Sequence, residues 1–162
     1  MSFIDSLDRT VVSFFNYGTG TCIDLTGGHW ASGTPVIGNS FHSGYNQQWV
    51  LHKANEDPIG PIWVIRNLDA DTNLDLFGGG NDTGTKISGW DGGETTNNTH
   101  QLWRLIGIEG VVVMIQNVGA GTFVDLLDGN AADSTEISGW QGNTDEYNPH
   151  QLWRILAIDE VE

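Results

Sequence analysis

The chain has 162 residues, enough for one sizeable core and too few for two. Its 21 acidic and 6 basic side chains leave a net charge of −15, which excludes an electrostatic grip on nucleic acid or on an anionic membrane surface. A lone Cys22 excludes an intrachain disulfide framework, while 7 Trp and 6 Phe supply enough apolar surface to offset the entropy of ordering the chain. The opening MSFIDSLDRT carries acids where a signal peptide carries basic residues and an apolar run. No window approaches the roughly 18 apolar residues of a membrane span. The expectation is a soluble cytoplasmic protein with no membrane insertion.

Taken in chain order, the texture is strand, turn, strand. VVSFF (11–15) is followed by a Gly-rich turn, CIDL (22–25), another turn, VIG (36–38) and QQWVL (47–51). KANEDPIGP (53–61), with two prolines, reads as a turn-rich connection. The order then returns as IWVI, NLDL, ISG and QLWRL, and again as VVVMI, FVDL, ISG and QLWRI. No stretch keeps helical periodicity over three turns, so the segments read as short strands.

The order is a repeat. GTKISGWDG at 84–92 returns as STEISGWQG at 134–142, and HQLWRL at 100–105 as HQLWRI at 150–155, both offset by 50. A weaker first copy begins at FNYGTGTCIDL from Phe15. One such unit cannot bury its own apolar face, so three must pack around a shared axis, and four strands per unit favour a closed pseudo-threefold barrel. A Q-x-W element ending each of three units of about 50 residues, each preceded by an Asp in matching context, resembles the ricin B-type lectin family. The SGW…HQLW wording is similar to that of a fungal agglutinin within it. The resemblance covers about residues 10–158 and implies an all-β β-trefoil. The expected organisation is a single domain over 1–162 with repeats at about 10–58, 59–109 and 110–158.

Comparing the copies separates frame from site. All three share Asn16/Asn67/Asn117, Asp24/Asp75/Asp125, Gly38/Gly89/Gly139, Gln47/Gln101/Gln151 and Trp49/Trp103/Trp153. The Q-x-W tryptophans read as core, and their glutamines as partners for buried backbone groups. Only the second and third copies have Trp90/Trp140 and His100/His150; the first has Asn39 and Asn46 there. Trp90 and Trp140, flanked by Ser-Gly and Gly-rich turns, read as exposed-turn residues, where an indole needs a reason. A pyranose supplies one, with an apolar C–H face to stack on the ring and a rim of hydroxyls to bond. An ionised Asp accepts from two adjacent hydroxyls, and a neutral His offers one donor and one acceptor.

The family likeness implies the same arrangement and a galactose or N-acetylgalactosamine ligand on glycans and glycoconjugates. Carried over by position, it predicts Asp75, Trp90, His100 and Gln101 in the second repeat and Asp125, Trp140, His150 and Gln151 in the third. Asp24 and Asn46 are the remnant in the first, expected to be silent or weak. Trp30, six residues after Asp24, is the other indole of that copy, and nothing in the sequence places it. If His100 and His150 act as acceptors, protonation of the imidazole removes that acceptor and weakens binding.

No Ser/His/Asp signature, P-loop, dinucleotide fingerprint or zinc-spaced pair is present, and the acidic stretches do not match an EF-hand loop. No cofactor or metal is expected. The leading reading is a multivalent, non-catalytic agglutinin, and the family suggests a defensive role. The alternative is a β-trefoil protease inhibitor or other protein-binding module acting through its loops. A carbohydrate module trimmed from a hydrolase ranks third. Oligomeric state is open.

Overall fold

The computed structural model describes residues 3–158. Twelve strands appear there: β1 (Thr10–Asn16), β2 (Cys22–Leu25), β3 (Thr34–Asn39), β4 (Trp49–Asp57), β5 (Gly60–Asn67), β6 (Asn73–Leu76), β7 (Thr85–Trp90), β8 (Trp103–Glu109), β9 (Val112–Asn117), β10 (Phe123–Leu126), β11 (Thr135–Trp140) and β12 (Trp153–Ala157). Six of them, β1, β4, β5, β8, β9 and β12, pair in a closed ring with every neighbour antiparallel. Closure removes the exposed edges that short strands of this kind would otherwise present. The hairpins β2–β3, β6–β7 and β10–β11 form a triangular cap, joined through β3–β7, β7–β11 and β11–β3. This is a β-trefoil, with four strands from each lobe.

The recurrent residues build the frame. Trp49, Trp103 and Trp153 are fully buried in one apolar cluster with the Leu, Ile and Val of all three lobes. Each indole N–H donates to a backbone carbonyl, those of Ile23, Leu74 and Val124, at 3.1, 2.9 and 3.0 Å. The accepting residue stands one position before the shared Asp, so the core tryptophan also holds the strand that presents the carboxylate. Truncating such an indole to Ala costs about 3–5 kcal/mol. Gly38, Gly89 and Gly139 have a different reason to recur. A Cβ there would stand 2.5, 2.7 and 2.7 Å from Cδ1 of Leu126, Leu25 and Leu76, each from another lobe. The missing side chain is what lets the three cap hairpins close on one another.

One expected loop is mostly strand. The KANEDPIGP segment continues β4 to Asp57 and resumes as β5 at Gly60, with a bulge between Lys53 and Asn55. Pro58 falls in the turn and Pro61 near the start of β5, positions where a missing N–H is tolerated. Asp57 closes the turn by accepting from the N–H groups of Ile59 and Gly60 at 3.0 and 3.2 Å. The β8–β9 hairpin carries a matching bulge between Gly107 and Glu109.

Candidate functional site

Strand register brings the predicted residues together. In the second lobe Asn73 pairs with Trp90 and Asp75 with Ser88; in the third, Phe123 pairs with Trp140 and Asp125 with Ser138. Side chains alternate along a strand, so Asp75, Ser88 and Trp90 share the outward face of their hairpin while Leu74 and Leu76 face the core. Trp90 and Trp140 are therefore the last residues of β7 and β11 and half-buried, not exposed-turn residues as the flanking glycines suggest. Pairing with β6 and β10 carries the strand through the Ser-Gly, and the turn begins one residue later. In the second lobe the indole also meets an aromatic the sequence reading missed: Phe77, more than half exposed, lies edge-on to Trp90 at 6.1 Å. It follows the Asp-Leu of its strand, where the other copies have Thr26 and Leu127.

The glutamines sit behind the carboxylates. Gln101 and Gln151 are each 1% exposed and their Nε2 groups are already spent on the carboxylate and the backbone, which corrects the expectation that they touch ligand. Each Nε2 donates to Oδ2 of its Asp at 2.9 Å and to a backbone carbonyl, Asp91 or Gln141, at 3.0 or 2.9 Å. The other oxygen of Asp75 and of Asp125 receives no hydrogen bond among the described residues. Burial pushes both carboxyls above the ordinary carboxylate value; the glutamine bond and the nearby His100 or His150 act in the opposite direction.

The histidines are placed by glycine. Gly79 and Gly129 have φ of 64° and 60°, and a Cβ on either would stand 2.7 or 2.6 Å from the ring of His100 or His150. Each imidazole lies directly on the backbone of the turn that follows its Asp-bearing strand. Two further bonds hold the histidine backbone. Asn98 and Asn148 accept from the N–H of His100 and His150 at 3.1 and 3.0 Å. Asn117 and Asn16, from the next lobe around, donate to their carbonyls at 3.2 and 3.3 Å.

The first lobe keeps the frame and changes the contents. Asp24 Oδ2 accepts from Gln47 at 2.8 Å and Asn39 at 3.3 Å, and its Oδ1 from Asn46 at 3.0 Å. His42 Nε2 stands 3.6 Å from the same carboxylate. A cleft of about 460 Å³ opens here, with Asp24, Asn39, His42, Asn46 and Asp69 on its walls. No Trp, Tyr or Phe lines it, and its carboxylate is already engaged at both oxygens.

Each site borrows a rim from the preceding lobe, a relation invisible in the repeats. Ser32 Oγ accepts from the Asp91 N–H at 2.9 Å, and the Gly33 N–H donates to Gly89 at 2.8 Å, beside Trp90. In the same way Gly84 donates to Gly139, and Gln141 Nε2 donates to the Asn81 carbonyl, beside Trp140. Asp133 accepts from the N–H and hydroxyl of Ser40 at the first site. Trp30 lies two residues before Ser32, on the loop that supplies this rim. Among the described residues no three His, Cys, Asp or Glu side chains cluster as a metal site requires.

The comparison with family models returns the ricin-type beta-trefoil lectin domain-like model over residues 3–90. The chain belongs to that family. No curated protein matches it. Among solved structures, the designed threefold-symmetric protein ThreeFoil matches with a TM-score of 0.80 at 18% identity, over 91% of this chain and 99% of that one. The Rhizoctonia solani agglutinin matches at 0.76 and 22%, over 94% and 97%. The Macrolepiota procera ricin B-like lectin, solved in complex with lactose, matches at 0.71 and 23%, over 91% and 95%. At these identities the likenesses establish the fold.

Proposed function

We propose that the protein is a non-catalytic lectin that binds terminal galactose or N-acetylgalactosamine through two shallow pockets, Asp75/Trp90/His100 and Asp125/Trp140/His150. The observation that carries this reading is the open carboxylate oxygen beside a half-buried indole in both lobes. An ionised oxygen with no partner of its own accepts sugar hydroxyls by charge-assisted bonds, the indole offers a stacking face, and the imidazole adds a donor or an acceptor. A ricin B-like lectin of the same fold bound to lactose, a galactoside, supports the sugar class. The first lobe, with Asn39 in place of the indole, is silent or weak.

A single-sugar site of this shape binds near the millimolar range, about −4 kcal/mol. Two sites on different lobes then crosslink multivalent glycoconjugates with avidity raised by roughly 10²–10⁴ where the geometry permits. Titration calorimetry with galactose, N-acetylgalactosamine, an α-galactosyl disaccharide and glucose tests this. The expected result is galactoside binding at about two sites, absent for glucose and lost in the folded Trp90→Ala/Trp140→Ala double variant. No heat with any of these sugars overturns the reading and turns attention to protein partners of the loops.

A further inference from the structure

The rim of the second pocket carries a feature the third lacks. Trp30 lies three residues before Gly33, where a Cβ would stand 3.7 Å from the Trp90 ring, so the Cα of Trp30 is within about 11 Å of that of Gly33. It is 77% exposed, and among the described residues it makes neither a hydrogen bond nor a ring contact. The six-residue spacing from the shared Asp puts Asn81 on the corresponding rim of the third pocket and Ala131 on that of the first. The loop bearing Trp30 is held at both Ser32 and Gly33, so the indole stands on an anchored support and not on a free tip.

An exposed, unpartnered indole on the fixed rim of a pocket that already holds a stacking residue has one chemistry in common with it. We infer that the second pocket is an extended site for at least two linked sugar rings, the terminal ring at Asp75, Trp90 and His100 and the next ring stacked on Trp30. This rests on the lectin reading above. The first lobe, without an aromatic in its own pocket, thus contributes to carbohydrate recognition through its neighbour. The third pocket, with Asn81 on its rim, takes the terminal ring alone. The two pockets then differ in preference for oligosaccharides while handling a monosaccharide alike.

The test isolates one pocket at a time. In a Trp140→Ala background, which leaves the second pocket, methyl β-galactoside is titrated against lactose and an α-galactosyl disaccharide. At least one disaccharide is expected to bind roughly five- to tenfold tighter than the monosaccharide, the gain of one aromatic stacking contact. Trp30→Ala brings that ratio to about one, and Trp30→Phe, which keeps a ring face, retains part of it. In the reciprocal Trp90→Ala background the ratio is near one with or without Trp30. A ratio that survives Trp30→Ala, or no disaccharide preference in the second pocket, overturns the extended site alone. Absence of binding by every sugar overturns the lectin reading and the extended site with it.

Discussion

The first lobe and the other two are built on one frame and differ in what the frame is asked to hold. All three present an Asp from the short strand of a cap hairpin, lock it with a buried Gln and brace its strand with a buried indole. In the first lobe two further amides, Asn39 and Asn46, fill the carboxylate's remaining capacity. In the second and third those positions are Trp and His, the carboxylate keeps a free oxygen, and the glycine-floored turn seats the imidazole. A recurrent Asp is therefore part of the frame, and the loss of its competing amides is what leaves one of its oxygens open. The retained Asp24 is a carboxylate whose two oxygens are both taken by neighbouring amides.

The sharpest way to break this distinction is to remove charge without removing shape. Asp75→Asn/Asp125→Asn keeps an acceptor for each glutamine yet loses the charge-assisted bonds to sugar, and galactoside affinity falls by roughly 100-fold, about 3 kcal/mol, in calorimetry. Stability moves the other way. A carboxyl whose folded pKa is raised contributes stability that is present at low pH and lost as pH rises through the folded pKa, so at neutral pH the ionised pair opposes folding. The double variant is expected to melt at the same temperature as the wild type or higher, and a marked fall in Tm would contradict the inward push of burial on these groups.

The same shift sets a pH dependence. Because burial holds both carboxyls above the ordinary 3.8, their protonation abolishes sugar binding at a pH above that value, and it does so while the fold gains from the same protonation. Binding and circular dichroism followed together from pH 7 to 4 should separate, with binding lost first. Coincident loss would mean that unfolding, and not the pocket carboxylates, controls the profile.

A smaller effect tests the seating of the imidazole. Gly79→Ala places a methyl group 2.7 Å from the His100 ring on a backbone of positive φ. It is expected to weaken the second pocket about tenfold and to cost about 1 kcal/mol of stability, leaving the third pocket to bind as before. Equal weakening of both pockets would show the change to be global. The mildest outcome is a gain. Asn39→Trp with Asn46→His removes both competing amides from Asp24 and supplies the missing ring, so stoichiometry should rise from about two to about three. No third site would mean that His42 or the rim at Asp133 also closes the first lobe.

Much of this was legible in the repeats because each copy is a control for the others. The three copies align on Asp24, Asp75 and Asp125, the strand register matches that alignment residue by residue, and Trp and His mark two lobes out. What misled was local context. Glycines around Trp90 and Trp140 look like turns but continue strands, because pairing across the hairpin outweighs the preference of Ser-Gly for a bend. The KANEDPIGP segment misled for the same reason, its prolines sitting where no ladder bond is needed. Gln101 and Gln151 lie next to His100 and His150 in sequence, yet the short turn that precedes each core Trp rotates them inward, behind the carboxylate.

The threefold organisation, the all-β class and the difference of the first lobe at the Trp and His positions are all readable from the repeats alone. Those follow from periodicity and from differences between copies, which need no coordinates. Only the tertiary structure decided which oxygen of each Asp is free, and which lobe's loop walls which pocket. Both depend on contacts between residues about 20 to 60 positions apart, such as Gln101 with Asp75 and Ser32 with Asp91. The first forms when one lobe folds back on its own hairpin, and the second only when the lobes close around one axis. The loop of Trp30 is the plainest case, since its own repeat says nothing of the neighbouring lobe that Ser32 and Gly33 bond to.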